Sequence, residues 1–133
     1  MKYLLDTNAC IRILKGDSHK MLMHIQEAVK EEICISTVVR FELFYGIHKS
    51  KNTESNIKNL NIFLASVNTL YFDERSSQEA GRIRFILEQS GTPIGPYDLL
   101  IGATALAYGC ILITHNTKEF SRIKNLLIED WEI

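Results

Sequence analysis

The sequence predicts an α/β protein, with a mostly parallel central sheet of four to five strands and helices on both faces. Three observations carry this. Short, wholly apolar runs at residues 3–5, 33–35 and 110–113 have the length of strands. Between them lie stretches with apolar residues at helical spacing. Directly after each run come residues that start helices: Asp6-Thr7-Asn8, Ser36-Thr37 and Thr114-His115-Asn116. Continuous apolar runs are the mark of strands buried on both faces, and strands alternating with helices call for parallel crossovers. At 133 residues the chain is long enough to bury such a core, and a single domain over 1–133 is expected.

Taken in order, Tyr3-Leu4-Leu5 reads as a central strand with Asp6 at its carboxyl end, where open α/β sheets place their ligands. The alternative is that Asp6 or Asn8 simply caps the next helix, residues 9–15, which Gly16 closes. Asp17 or Ser18 caps a second helix, with Met21, Leu22, Ile25, Ala28 and Val29 as its apolar positions. After the second strand, Ser36 or Thr37 caps a helix over residues 38–50.

That third helix is apolar on most sides, yet Glu42 lies in its midst. A carboxylate among hydrophobes is costly unless it binds a metal or is paired, for instance with Arg12 or Arg40. Gly46 would allow another backbone close approach. The polar residues 48–58 read as a solvated junction, followed by a helix over residues 55–66 with Ile57, Leu60, Phe63 and Leu64 as its stripe.

Residues 67–72 alternate enough for a third strand, and Asp73, Ser76 or Ser77 starts a helix reaching Gln89. Gly91 and Thr92-Pro93 end it. The loop 91–98 feeds another helix through Pro96, suited to a first turn where no donor is needed. Asp98 falls in that turn, where the helix dipole by itself favours an acid. Residues 99–108, with Gly102, fit a helix packed tightly against the sheet, closed by Gly109. The fourth strand, residues 110–113, is followed by Asn116 and Glu119 at the spacing of a capping box. Residues 126–128 read as an edge strand and residues 129–132 as an acidic tail.

Composition narrows the function classes. Hydrophobic residues make up 46% and charged residues 23%, which suits a soluble globular fold. Asp6 interrupts the first apolar stretch before a secretory core could form, and no run approaches the roughly 18 residues of a membrane span, so the cytoplasm is the expected location. Cys10, Cys34 and Cys110 lack CxxC spacing and read as buried thiols. His19, His24, His48 and His115 lack zinc spacing. A net charge of −1 gives no global basic footprint, although three carboxylates engaged by metal would leave the remainder weakly positive.

In a parallel sheet the residues just past the strand ends converge on one rim. Asp6 and the Asn116–Glu119 junction follow strands directly, and the helices bearing Glu42 and Asp98 can lean over the same rim. Oxygen ligands gathered there repel one another unless a hard cation lies between them, so Mg2+ with Mn2+ as substitute suits the set better than zinc or copper. Such a cation directs the reading to phosphoryl chemistry by metal-activated water. The rival phosphate motifs, GxxxxGK[ST] and GxGxxG, are absent.

Four stretches together carry a family resemblance: Tyr3-Leu-Leu-Asp-Thr-Asn8, Ile35-Ser-Thr-Val-Val-Arg-Phe-Glu-Leu-Phe-Tyr-Gly46, Gly91-Thr-Pro-Ile-Gly-Pro-Tyr-Asp98 with Ile101-Gly-Ala103, and Ile111-Leu-Ile-Thr-His-Asn-Thr-Lys-Glu-Phe120. Along essentially its whole length the chain resembles the PIN-domain toxins of type II toxin–antitoxin systems, the VapC ribonucleases. Glu129-Asp130-Trp131 is similar to members as well. The resemblance implies a PIN-domain fold and a Mg2+- or Mn2+-dependent endoribonuclease that hydrolyses structured RNA, often tRNA, leaving a 5′-phosphate. It implies a metal site on Asp6, Glu42 and Asp98, supported by the small hydroxyl residues Thr7 and Thr114. At the fourth acidic position stands Asn116, with Glu119 the nearest acid, so a second tightly held metal lacks one charged ligand. It also implies a homodimer in a higher assembly with a VapB-type antitoxin, whose tail covers the site and whose other domain binds operator DNA.

Arg12, Lys15, Lys49 and Lys51 are candidates to hold RNA phosphates, or are ordinary surface charge. Two other functions stand beside the nuclease. One is a regulatory or binding module, suggested by the uncharged Asn116. The other is a phosphotransfer enzyme with Asp6 as covalent nucleophile, for which haloacid-dehalogenase-like enzymes would want an acid at Asn8 and receiver domains an acidic pair and a late lysine.

Overall fold

The structure, a computed structural model, describes residues 1–133. Its five strands are β1 (Tyr3–Leu5), β2 (Ile33–Ser36), β3 (Asn68–Leu70), β4 (Ile111–Ile113) and β5 (Leu127–Glu129), in the spatial order β3-β2-β1-β4-β5. Every pairing is parallel, so the sheet is wholly rather than mostly parallel. Its helices are α1 (Thr7–Lys15), α2 (His19–Glu27), α3 (Thr37–His48), α4 (Thr53–Ala65), α5 (Glu74–Gln89), α6 (Pro96–Tyr108) and α7 (Thr117–Phe120), with a 3-10 turn at Lys30–Glu32.

The strand order reverses direction once. From β1 the chain steps outward to β2 and β3, then crosses back through α5 and α6 to enter β4 on the other side of β1. Right-handed crossovers in opposite directions lay their helices on opposite faces of the sheet. The reversal also leaves a crevice between the carboxyl ends of β1 and β4, the topological switch point.

Central position follows apolar content. Leu4, Leu5, Cys34, Ile35, Leu112 and Ile113 are completely buried, and Leu4 pairs in register with Cys34 on one side and Leu112 on the other. Burying each such leucine or isoleucine contributes about 1.5–3 kcal/mol. The edges are weaker: only Leu70 of β3 is buried, and no residue of β5 is. The third strand is therefore three residues long, not the expected run over 67–72, because Val67, Tyr71 and Phe72 lie beyond the register with β2.

Side-chain caps set the helix starts. Asp6, Ser18, Ser36 and Asp73 each accept the backbone N–H three residues on, at 2.8, 3.2, 3.1 and 3.0 Å. Helix boundaries differ from the expected ones: α1 begins at Thr7 and α3 at Thr37, directly after their capping residues, while α2 stops before Ala28, α3 ends at His48 and α4 begins at Thr53. Thr37, released from capping, instead accepts the Phe72 N–H at 3.1 Å. Gly16 and Gly109 close α1 and α6 in the left-handed region, at φ 67° and 66°.

Two glycine expectations change. A Cβ at Gly46 would meet nothing within 4 Å, since the residue faces an open cavity rather than a neighbouring backbone. At Gly102 a Cβ would come 2.6 Å from Ile123 Cδ1 and 3.4 Å from Phe120 Cε1, so α6 packs tightly against the segment around α7 and not only the sheet. The three cysteines are free and buried, and burial pushes the Cys10 thiol well up and the Cys110 thiol to about 11. No helix is long and apolar enough to cross a membrane.

Candidate active site

β1 delivers Asp6 to the switch point. Its backbone N–H still donates to Ile113 O of β4, at 3.1 Å, while its side chain already caps α1. Capping and site membership were alternatives in the sequence; the structure has the cap, and one bond to Ala9 N leaves the carboxylate with free acceptor sites. The residue is buried, and that burial raises its pKa, against the Thr114 hydroxyl and the Ala9 N–H, which favour the charged form; Glu132 and Glu42 raise it further.

Glu42 arrives from α3 on the β2 side. It is half-buried rather than sunk among hydrophobes, because Phe41 and Tyr45 on the same helix face solvent. Thr7 Oγ1 donates to Glu42 Oε1 at 2.6 Å, which ties the first turn of α1 to α3. The expected ion-pair alternative is not formed: Arg12 meets Asp17 and Glu132, and Arg40 donates to Thr69 Oγ1 at 3.2 Å.

Asp98 comes from the first turn of α6. The α3 and α6 helices meet through Phe41 and Tyr97, whose ring centroids are 5.3 Å apart, and each aromatic directly precedes an acid of the set. Burial lifts Asp98 to about 6, and the charges of Asp6, Glu119 and Glu42 add to it, while a hydrogen bond with the Asn116 side chain lowers it. Asp6, Glu119 and Glu42 are thus all within electrostatic reach of Asp98. Below β4, the fully buried Thr114 accepts the Asn116 N–H at 2.9 Å.

Asn116 and Glu119 do not form a capping box. Asn116 caps nothing with its side chain; its Nδ2 donates straight to Glu119 Oε2, at 2.7 Å. The helix they open is only four residues long, and the amide is drawn to the acids beside it. Asn116 thus acts as a neutral donor among carboxylates.

The residues suit a hard divalent cation. Asp6, Glu42, Asp98 and Glu119 have no Lys, Arg or His partner within ion-pair distance, and burial first, then the neighbouring acids, raises Asp6 and Asp98. Their oxygen-only donors match Mg2+ or Mn2+. The ligand atoms that gather within 4.8 Å belong to another group, His115, Asp130 and Glu132.

That second group was not legible in the sequence. Pairing of Ile113 with Glu129 brings the residues after β4 and β5 together, so His115 Nδ1 lies 2.8 Å from Asp130 Oδ2. The expected acidic tail is a fixed strap. Trp131 is buried, stacked on His24 at 4.9 Å and tilted against Tyr3 at 5.1 Å, and Glu132 pairs with Arg12 at 3.4 Å. Only the tryptophan among acids hinted at anchoring. Of the basic candidates, Arg12 and Lys15 line a cavity of about 560 Å³ shared with Asn8, His115, Asn116 and Glu132. Lys49 instead lies over the Tyr45 ring at 5.0 Å, and neither it nor Lys51 borders that cavity.

A wholly parallel sheet that gathers carboxylates at its switch point is the architecture of the PIN domain, and the PIN domain family model matches residues 3–126. The chain is 37% identical to the tRNA(fMet)-specific endonuclease VapC of Salmonella typhimurium, over 98% of both chains. It is 39% identical to ribonuclease VapC2 of Rickettsia felis, over 99% of both. It superposes with a TM-score of 0.93 on the crystal structure of VapBC2 from Rickettsia felis bound to a promoter DNA fragment, covering 98% of this chain and 99% of that one. The chain belongs to the PIN-domain family, in its VapC group.

Proposed function

We propose that this protein is the toxin ribonuclease of a VapBC-type module, a divalent-metal-dependent endoribonuclease that hydrolyses a phosphodiester of structured RNA, with tRNA as the substrate class. The observation that carries the reading is the set of uncompensated carboxylates, Asp6, Glu42 and Asp98, around the switch point. The family membership and the printed activity of the Salmonella relative, a tRNA(fMet)-specific endonuclease, support it.

Asp6, Asp98 and Glu42 would hold Mg2+ or Mn2+. When bound, the cation supplies charge stabilisation to the phosphoryl group and acidifies an attacking water. The chain's own residues do the rest. Thr7 fixes the Glu42 carboxylate, Thr114 and the Ala9 N–H favour the charged form of Asp6 against its burial, and the Asn116 amide bonds to both Asp98 and Glu119.

The partner is a VapB-type antitoxin, through which operator DNA would be engaged; the Rickettsia felis VapBC2 complex, bound to a promoter DNA fragment, supports this. Exposed Phe41, Tyr45, Phe85, Ile86 and Tyr97 give the chain apolar surface for a homodimer and for the antitoxin in the cytoplasm. The test is incubation of antitoxin-free wild type and Asp6→Asn with total tRNA and Mg2+ or Mn2+, with EDTA as control, and mapping of the cut ends. Metal-dependent cuts bearing 5′-phosphates in the wild type alone are expected. A folded, metal-loaded wild type that cuts no RNA would favour the binding module suggested by the uncharged Asn116.

A further inference from the structure

Glu132 stands where electrostatics alone would not put it. It is a third acid beside Asp6, and its charge acts on Asp6 more strongly than that of Glu42. The strap holds it there: Trp131 is locked between Tyr3 and His24, Asp130 Oδ1 accepts the Glu132 N–H at 2.9 Å, and Asp130 Oδ2 is bonded to His115. Only 15% of the Glu132 side chain is exposed.

What Glu132 faces is Arg12. Arg12 Nε lies 3.4 Å from Glu132 Oε1, and Nη1 donates to Asp17 Oδ2 at 3.1 Å. Nη2 donates to no protein atom, and about half the side chain is open to solvent. Exposed ion pairs stabilise folds little, so stability does not account for an acid set against Asp6. Gripped from two sides, the guanidinium is pre-oriented at the border between the acid crevice and the cavity along α1. Lys15, one turn further along α1, borders the same cavity. Nη2, the one nitrogen left without a protein partner, can donate to a phosphate oxygen.

Resting on the ribonuclease reading, we propose that Arg12 clamps an RNA phosphate adjoining the scissile one, that Glu132 is the residue that positions it, and that the RNA backbone runs along α1 past Lys15 rather than past Lys49 and Lys51. Holding a long side chain in place before substrate arrives removes part of the ordering cost of binding.

The experiment measures tRNA binding by the full chain in a non-cleaving Asp98→Asn background, across a salt series. Arg12→Ala is expected to weaken binding about tenfold at 0.1 M salt and lower the salt slope by about one. Arg12→Lys should keep the slope and lose part of the affinity. Glu132→Gln should weaken binding about threefold to tenfold when Arg12 is present and not at all when Arg12 is Ala, a dependence that a purely structural role would not produce. Lys30→Ala, ahead of β2 at the opposite end of the sheet, serves as the control. If Arg12→Ala binds with the parent's affinity and slope, the clamp is refuted while the ribonuclease reading stands. If Glu132→Gln weakens binding equally in both backgrounds, or lowers Mn2+ affinity as much as Asp6→Asn does, Glu132 belongs to the acid crevice and the positioning role is overturned. If the parent binds no tRNA and the wild type cuts none, both readings fall together.

Discussion

Along one rim of the sheet, Asp6, Glu42, Asp98 and Glu119 face one another with only hydroxyl, amide and backbone donors for company, whereas beside them Asp130 and Glu132 each meet a nitrogen partner, His115 at 2.8 Å and Arg12 at 3.4 Å. The two groups use the same residue types and comparable burial, yet only the second has nitrogen partners for its carboxylates. A group without such partners lowers the stability of the fold around it, and a cation bound there would restore the balance. A balanced group can instead hold its members in fixed positions. The contrast separates the residues that would do the chemistry from those that would arrange the approach to it.

The largest effect expected from the unbalanced side is on turnover. Asp6→Asn and Asp98→Asn should each lower RNA cleavage by about 10³-fold or more, at least roughly 4 kcal/mol of barrier, with unchanged circular dichroism. EDTA should do the same to the wild type. Full activity in either variant would remove that residue from the mechanism.

Next comes the pH response. Asp98 titrates at about 6 in the fold against an ordinary 3.8. If Asp98 holds the cation, it does so as the carboxylate, and Mn2+ affinity measured by calorimetry should fall by up to about tenfold per pH unit below 6. Stability runs the other way. A pKa raised by folding favours the fold at low pH and loses that contribution as pH rises through the folded value. Without metal, Asp98→Asn should therefore melt at a higher temperature than wild type at pH 7.5, and the gap should shrink toward pH 4.

Asn116→Asp sharpens the comparison by adding a charge to the unbalanced side. We expect Mn2+ affinity to rise about threefold to tenfold, and the metal-free melting temperature to fall by a few degrees, on the order of 1 kcal/mol. Thr7→Val, which removes the 2.6 Å bond to Glu42, should reduce cleavage by roughly threefold to tenfold. The smallest effect belongs to the balanced side: His115→Ala opens an exposed pair with Asp130 and should move the melting temperature by no more than about 3 °C.

The sequence and the structure agree most where local chemistry decides. The runs at β1, β2 and β4 are too apolar to be anything but interior, and the polar residues after them are forced onto one rim. Asp6, Glu42 and Asp98 were legible because each occupies a motif at a strand end or in a helix reaching back toward one. The spacing of Asn116 and Glu119 misled, since three residues apart suits a capping box and a direct side-chain bond equally well, and the neighbouring acids decided between them. The edge strand β3 was read too long because alternation in residues 67–72 says nothing about how far a partner strand extends. Glu132 could not be found at all: it lies 126 positions from Asp6 in sequence, and its orientation depends on where Trp131 lodges.

Trp131 has a practical consequence. It is the only tryptophan in the chain, shielded from solvent and stacked within 8° of parallel on His24. Its emission should be quenched and blue-shifted while the strap is seated, and should brighten and move to longer wavelength when the strap lifts. Release of the strap can therefore be followed by intrinsic fluorescence, with no label attached.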